Sequence, residues 1–253
     1  MGQEPLITGQ YYHIYNRGNN GCDLFLEPDC YEHFLNLYDT YIHPVAETFA
    51  WVLMGNHFHL LLRIKENRIY RYDLNDDSFK KNESDLNYYK KWETVEATSS
   101  AVSKKMKKPL PFRHFAHLFN AYSRYHQNRY GRTGNLFERP FKRKLVDNES
   151  YFKKVILYIH QNPVHHGFCS HPLEYPWSSY ITCTSEKPTW LKREAVKKLF
   201  GSNKNFEEVH LNPVDKESLD SWLRIDKVDY YTEMSIGETK SSGVNYKIGR
   251  SVV

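Results

Sequence analysis

The stretch of sequence that decides the fold is AETFAWVLMGNHFHLLLRI, residues 46–64. Two apolar runs, 46–54 and 57–64, stand on either side of Gly55-Asn56, and this arrangement is typical of a β-hairpin. His57 and His59 alternate with Phe58 in the second run, so both imidazoles are expected on one face of the strand. The stretch therefore predicts a hairpin that presents a pair of histidines on one face.

The elements on either side of this hairpin predict an α+β fold. Two more strands are predicted, 7–15 and 136–146. The predicted helices run from Pro28 to about Tyr41, over 112–129, from a cap at 147–150 to about Gln161, where Asn162-Pro163 ends it, and near 191–199. This order predicts an antiparallel sheet of about four to five strands with helices packed on it, plus a small C-terminal helical extension.

Composition along the chain predicts one main domain with an insertion. Residues 66–110 are polar, charged and weakly periodic, so we interpret them as an insertion that is partly helical at best. We assign residues 1–180 to the main domain and residues 181–253 to a C-terminal extension. The extension is expected to be partly helical and to end in a mobile tail rich in Gly, Ser and Lys.

Positive charge is concentrated in the middle of the chain. Residues 103–144 hold twelve Lys and Arg against the single acid Glu138, interleaved with eight Phe and Tyr. Such a segment suits a partner that carries phosphates and stackable bases, although a solvated basic face over an aromatic core has the same composition. The candidate DNA contacts are Arg124, Arg129, Arg132, Arg139, Lys142 and Arg143.

Other features of the composition exclude several classes of protein. The four cysteines form no Cys-x-x-Cys pair, which argues against a zinc ribbon and gives no disulfide framework. No run approaches the roughly 20 apolar residues of a membrane helix, and the first residues do not resemble a signal peptide. We therefore expect a cytoplasmic protein with no membrane partner.

Two pairs of residues could carry chemistry. A His-x-His pair on the protein surface would be unremarkable, but buried imidazoles need a polar partner, and a metal ion would serve. Tyr158 and Asn162 are four residues apart near the end of a predicted helix, so they share one helical face. The alternative for this second pair is a core tyrosine followed by an asparagine that ends the helix.

Three motifs, in order, resemble the HUH single-tyrosine transposases. They are MGNHFHLLL (54–62), GRTGNLF (131–137) and YIHQNPV (158–164). The branch that the chain resembles is that of the REP-associated tyrosine transposases, in the insertion sequence 200-like family, and the resemblance runs from about Tyr11 to Tyr180. The chain departs from the family at Gly55, where Pro is common, and within 137–142, where Gln-Gly-Arg is more usual before Phe-Lys.

The resemblance implies a ferredoxin-like or RNA-recognition-like fold and a set of residue roles. His57 and His59 would be paired metal ligands, Asn162 the third ligand and Tyr158 the nucleophile. Imidazole and amide ligands suit Mg²⁺ or Mn²⁺. The implied activity is cleavage and rejoining of single-stranded or hairpin DNA through a 5′-phosphotyrosine, by a monomer or homodimer. The alternatives are a catalytically silent nucleic-acid-binding regulator of the same fold and a replication-initiator or relaxase-like nickase.

Overall fold

The computed structural model describes residues 5–72, 90–95 and 106–211, which form an α+β structure. In chain order the strands are β1 (Tyr11–Arg17), β2 (Ala46–Leu53), β3 (His57–Ile64), β4 (Arg68–Tyr72), β5 (Lys90–Thr94), β6 (Met106–Lys107) and β7 (Lys142–Val146). The helices are α1 (Pro28–Tyr41), α2 (Pro111–Tyr130), α3 (Glu149–His165), α4 (Ser179–Thr184), α5 (Arg193–Leu199) and α6 (Asn203–Leu211).

The main sheet has four strands in the order β2-β3-β1-β7, and every neighbouring pair is antiparallel. Along the chain its elements follow the order β1-α1-β2-β3-α2-β7, which is the β-α-β-β-α-β arrangement of ferredoxin-like folds. The predicted fold class is therefore confirmed, and four strands lie within the predicted range.

Helices cover both faces of this sheet. On one face Phe58 is fully buried, with its ring centroid 5.3 Å from that of Phe34 on α1 and 5.8 Å from that of Phe119 on α2. Burial of one such side chain contributes roughly 1.5–3 kcal/mol to stability. On the other face Phe152 of α3 packs edge-on against Tyr11, with ring centroids 5.2 Å apart. Because side chains alternate along β3, His57 and His59 face α3 rather than the α1 and α2 layer.

Helix α3 begins where the sequence predicts but ends later. The Asn148 side chain caps it by accepting a hydrogen bond from Tyr151 N at 2.8 Å. The predicted end near Gln161 is wrong, because the helix continues to His165 with Pro163 inside its last turn. Proline removes one backbone donor there, yet the Pro163 ring is buried and His166 N still donates to Asn162 O at 3.1 Å.

The described part of the insertion is strand rather than helix. Strands β4, β5 and β6 form a second antiparallel sheet in the order β5-β4-β6, which was not predicted from the sequence. Tyr70 and Trp92 pack across the β4–β5 pair with ring centroids 5.2 Å apart. The rest of the insertion, residues 73–89 and 96–105, lies outside the described residues.

Two predicted strands have different bounds in the structure. Strand β1 begins at Tyr11 rather than near Ile7, after Gly9 with a φ of +81°, and it continues to Arg17. Strand β7 begins at Lys142 rather than Leu136. Pro140 has no N–H to donate to a ladder, so pairing before it is limited to an isolated bridge between Phe137 and Gly18.

The C-terminal helices pack against α3 and the β2 edge of the sheet. Ser179 at the start of α4 accepts a hydrogen bond from Trp51 N of β2 at 2.8 Å. Helix α5 corresponds to the predicted helix near 191–199, whereas α4 and α6 were not predicted. The tail beyond residue 211 lies outside the described residues, and the division into two domains stays a prediction. Among the described helices, none has both the length and the apolar character needed to span a membrane.

Candidate active site

The structure brings together the four residues that the sequence singled out. The rings of His57 and His59 lie on one face of β3, with centroids 5.3 Å apart. His57 Nε2 lies 3.1 Å from Asn162 Oδ1, and the His59 ring centroid lies 5.1 Å from that of Tyr158. The site is therefore a contact between strand β3 and helix α3.

Regular backbone geometry explains why both contacts form at once. A step of two residues along a strand covers about 6.6 Å, and a step of four residues along a helix covers about 6 Å. Asn162 therefore lies over His57 when Tyr158 lies over His59. The two spacings that the sequence shows, His-x-His and Tyr-x-x-x-Asn, match each other in length.

The hydrogen bonds of His57 leave one position that suits a cation. Its Nδ1 lies 2.6 Å from Asn56 Oδ1, and its Nε2 faces Asn162 Oδ1. A neutral imidazole has one N–H and cannot donate to both oxygens, so the pair of contacts needs a protonated ring, a rotated Asn56 or Asn162 amide, or a cation at one of the two nitrogens. His57 Nε2 and Asn162 Oδ1 face each other at 3.1 Å, so both atoms could serve as ligands of one ion.

Acidic and thiol side chains are not gathered with His57 and His59 among the described residues, and the amide oxygen of Asn162 is the polar atom that faces His57 Nε2. Within residues 5–72, 90–95 and 106–211, no three His, Cys, Asp or Glu side chains lie together so as to hold a metal ion. A divalent ion bound to His57 and His59 would thus take its third protein ligand from Asn162. All three are neutral ligands, which suits an ion that must keep its positive charge for an anionic substrate.

Burial favours the neutral form of His59 and of His13, a histidine of β1 that lies beside it. Burial, followed by the neighbouring imidazoles of His13, His57 and His166, holds the pKa of His59 well below its ordinary value. Burial and the nearby Lys144 ammonium lower the pKa of His13 to about 3. At neutral pH both rings therefore keep a lone pair, which metal coordination or hydrogen-bond acceptance requires.

Sequence reasoning missed two histidines of this site. His13 Nε2 lies 3.1 Å from His59 Nδ1, and the His166 ring centroid lies 5.2 Å from that of His57. The sequence contains part of the information needed to find them. His13 lies in a strand predicted from its alternating residues, and His166 follows Asn162 by four residues, which is the spacing of one helical face. Assigning either residue to the site required the β1–β3 register or the extension of α3 past Pro163.

The site is closed at its inner end. Tyr158 and Asn162 are each 1% exposed and His59 is 4% exposed, whereas His57 is partly exposed. The partly exposed end of the site is therefore at His57, and the Tyr158 side chain is covered.

Of the six predicted DNA contacts, Lys142 lies on the face of the sheet that holds the site. It pairs with Tyr15 in the register of β1 and β7, and its Nζ lies 6.0 Å from the Tyr15 ring centroid. Lys144, which was not among the candidates, pairs with His13 and shares this face. The two ammonium groups place positive charge beside the histidines.

The other five candidates lie elsewhere. Arg143 points to the opposite face of the sheet, where its guanidinium lies 5.0 Å from the Phe141 ring centroid. Arg129 on α2 is paired with Glu27 at 2.8 Å and Asp29 at 3.0 Å. The remaining three, which are at least partly exposed and lie on α2 or in the loop after it, are Arg124, Arg132 and Arg139.

A comparison with solved structures finds a distant likeness. The structure of a REP-associated tyrosine transposase bound to a REP hairpin matches with a TM-score of 0.46 and 13% sequence identity, over 74% of this chain and 88% of that chain. No family model and no curated protein matches the chain.

Proposed function

We propose that this chain is a metal-dependent, transposase-type enzyme that cleaves and rejoins single-stranded or hairpin DNA. The observation that carries the proposal is the 3.1 Å approach of His57 Nε2 to Asn162 Oδ1, beside a second imidazole and a tyrosine ring. A nucleic-acid-binding module has no chemical need for two imidazoles, an amide and a tyrosine at one point. The sequence motifs that contain these residues resemble those of the HUH transposases.

His57, His59 and Asn162 would hold Mg²⁺ or Mn²⁺. When bound there, the ion would orient the non-bridging oxygens of a phosphodiester and stabilise negative charge that develops during attack. The protein contributes a rigid ligand geometry, because His57 and His59 lie on a central strand and Asn162 lies on a capped helix.

Tyr158 would be the nucleophile. Its hydroxyl loses a proton and its oxygen forms a bond to phosphorus, while the bond from phosphorus to the 3′ oxygen breaks. The products are a 5′-phosphotyrosine and a free 3′-hydroxyl. Attack of a 3′-hydroxyl on the phosphotyrosine reverses these bond changes, rejoins a strand and releases the tyrosine, so the two steps together conserve the number of phosphodiester bonds.

Positive charge beside the site favours a nucleic-acid substrate. Lys142 and Lys144 share the sheet face of the histidines, and each neutralised phosphate of a single strand releases counterions and strengthens binding. Tyr15, between the histidines and Lys142 on this face, adds an aromatic ring against which a base could stack. In this proposal the protein acts as a monomer or a homodimer.

A second candidate function is a catalytically silent binder of the same DNA. The burial of Tyr158 favours it, since a tyrosine that is 1% exposed within the hydrophobic core is also what a purely structural residue would show. The two candidates make different predictions about covalent chemistry, so one experiment separates them.

The experiment uses strand-labelled hairpin DNA from the sequence that flanks the gene, incubated with the full chain and Mg²⁺ or Mn²⁺. The proposed enzyme gives a protein-linked band on a denaturing gel, which a chelator and Tyr158→Phe each abolish while hairpin binding survives. The matched control is Tyr122→Phe, because Tyr122 is also buried but donates to Leu24 O at 2.6 Å on the opposite side of the sheet. Hairpin binding by the wild type with no linked product would establish the silent binder, and a band that persists in Tyr158→Phe would exclude this nucleophile.

A further inference from the structure

We propose that His13 is a positioning residue that fixes the tautomer of His59 and thereby sets the affinity of the site for its metal ion. This inference rests on the proposed function, because it concerns the ligand role of His59. His13 lies on a different strand from both histidines of the sequence motif, and nothing in the motif itself points to it.

The geometry places His13 beside His59 on the sheet face that α3 covers. His13 is opposite Leu61 in the β1–β3 register and His59 is opposite Tyr15, so the two histidines are diagonal neighbours on one face of the sheet. Their Nε2 and Nδ1 atoms lie 3.1 Å apart, with the ring planes inclined by 29°. His13 is fully buried, so water does not compete for this hydrogen bond.

The hydrogen bond decides which nitrogen of His59 can bind a metal. His59 Nδ1 is in contact with His13, which leaves Nε2 as the ligand atom. A neutral imidazole that coordinates through Nε2 carries its hydrogen on Nδ1, and that hydrogen must be donated to His13 Nε2. His13 must then carry its own hydrogen on Nδ1, so coordination at His59 Nε2 and this hydrogen bond together select one tautomer of each ring.

Metal-binding histidines generally donate their second N–H to a partner that orients the ring. The usual partner is a carboxylate or a backbone carbonyl, whereas here it is a second imidazole. A neutral partner adds no negative charge to the site, which agrees with a ligand set of two imidazoles and an amide. His13 Nδ1 has no hydrogen-bond partner among the described residues, so the metal-binding tautomer leaves its N–H unpaired, and the hydrogen bond to His59 is the polar contact made by the other nitrogen.

Two amide variants of His13 test the inference. In His13→Gln the side-chain oxygen reaches about as far as Nε2 and can accept from His59 Nδ1. In His13→Asn the side chain is too short for its oxygen to reach His59 Nδ1, although the residue remains polar. Titration of the DNA-free protein with Mn²⁺, followed by electron paramagnetic resonance, should show near wild-type affinity for the Gln variant and an affinity about 10- to 100-fold weaker for the Asn variant.

Equal affinity of the wild type and the Asn variant would overturn the role of His13 and leave the proposed function intact. Failure of the wild type itself to bind Mn²⁺ would overturn the proposed metal site and this inference together. Nitrogen NMR of the Mg²⁺-loaded wild type gives a second measurement that does not depend on variant folding. It should show His59 protonated at Nδ1, and a hydrogen on His59 Nε2 would contradict the inference.

Discussion

Acidification is expected to destabilise the contact between helix α6 and helix α3 through His210. His210 Nδ1 lies 2.6 Å from Phe206 O, and its Nε2 lies 2.9 Å from His160 Nδ1. His160 Nε2 in turn lies 2.8 Å from Ser179 Oγ. Each of these three contacts has one hydrogen and one acceptor when both imidazoles are neutral: His210 donates to Phe206 O, His160 donates to His210, and Ser179 donates to His160. A proton on His210 Nε2 removes the acceptor that His160 needs.

The magnitude follows from the pKa of His210, which burial lowers from its ordinary value of 6.5 to about 4. The unfolded chain takes up a proton as pH falls below about 6.5, and the folded chain takes it up near pH 4. The contribution to stability is therefore complete above pH 6.5 and is lost as pH falls through about 4. At about 1.36 kcal/mol for each pH unit, the loss amounts to roughly 3 kcal/mol.

The assay is the free energy of unfolding in urea, measured between about pH 7 and about pH 4 for the wild type and His210→Gln. Glutamine cannot titrate in this window, yet its amide oxygen can accept from His160. The wild type should lose roughly 3 kcal/mol more than the variant over this range, because the other titrating groups are common to both proteins. Parallel pH profiles for the two proteins would refute the assignment of acid sensitivity to His210.

Three further predictions concern other positions. Gly18→Ala should lower the free energy of unfolding by about 1–3 kcal/mol in a urea titration, because the added Cβ would lie 1.8 Å from the carbonyl oxygen of Cys22. Asn148→Ala should cost about 1 kcal/mol in the same assay through loss of the α3 cap, and an unchanged midpoint would contradict the capping role. Lys142→Ala should reduce the logarithmic salt slope of hairpin binding by about 0.7, whereas Arg129→Ala, whose guanidinium is paired with two carboxylates, should leave it unchanged.

The sequence predicted the centre of the fold more accurately than its periphery. The bounds of β3 and α1 agree with the structure because alternation, a Gly-Asn turn and a proline start are local signals. The second sheet was missed because β4 pairs with β5 and β6 across long separations in sequence. The strands of this sheet are short and polar, and the residue pattern within a strand does not show which other strand it pairs with.

The candidate site could be predicted where one element carried the information. The shared face of His57 and His59 follows from the strand period, and that of Tyr158 and Asn162 follows from the helix period. The place of His13 beside His59 depends on the register between two strands, which a single sequence does not specify. Composition also could not show which basic residues lie beside the histidines. The density of positive charge does not specify the face of β7 on which each side chain lies.

Burial of Tyr158 constrains how DNA would reach it under the proposed function. Helix α3 is held to the sheet by the packing of Phe152 against Tyr11 of β1. Near its end, His160 is hydrogen-bonded to Ser179, which also accepts from Trp51 N of β2. Lifting the whole helix from the sheet would break both contacts, whereas a movement of the Tyr158 side chain alone leaves them in place. The smaller movement is therefore the expected one: under the proposed function a phosphate first meets the outer pair formed by His57 and Asn162, and the Tyr158 side chain moves toward it while helix α3 stays on the sheet.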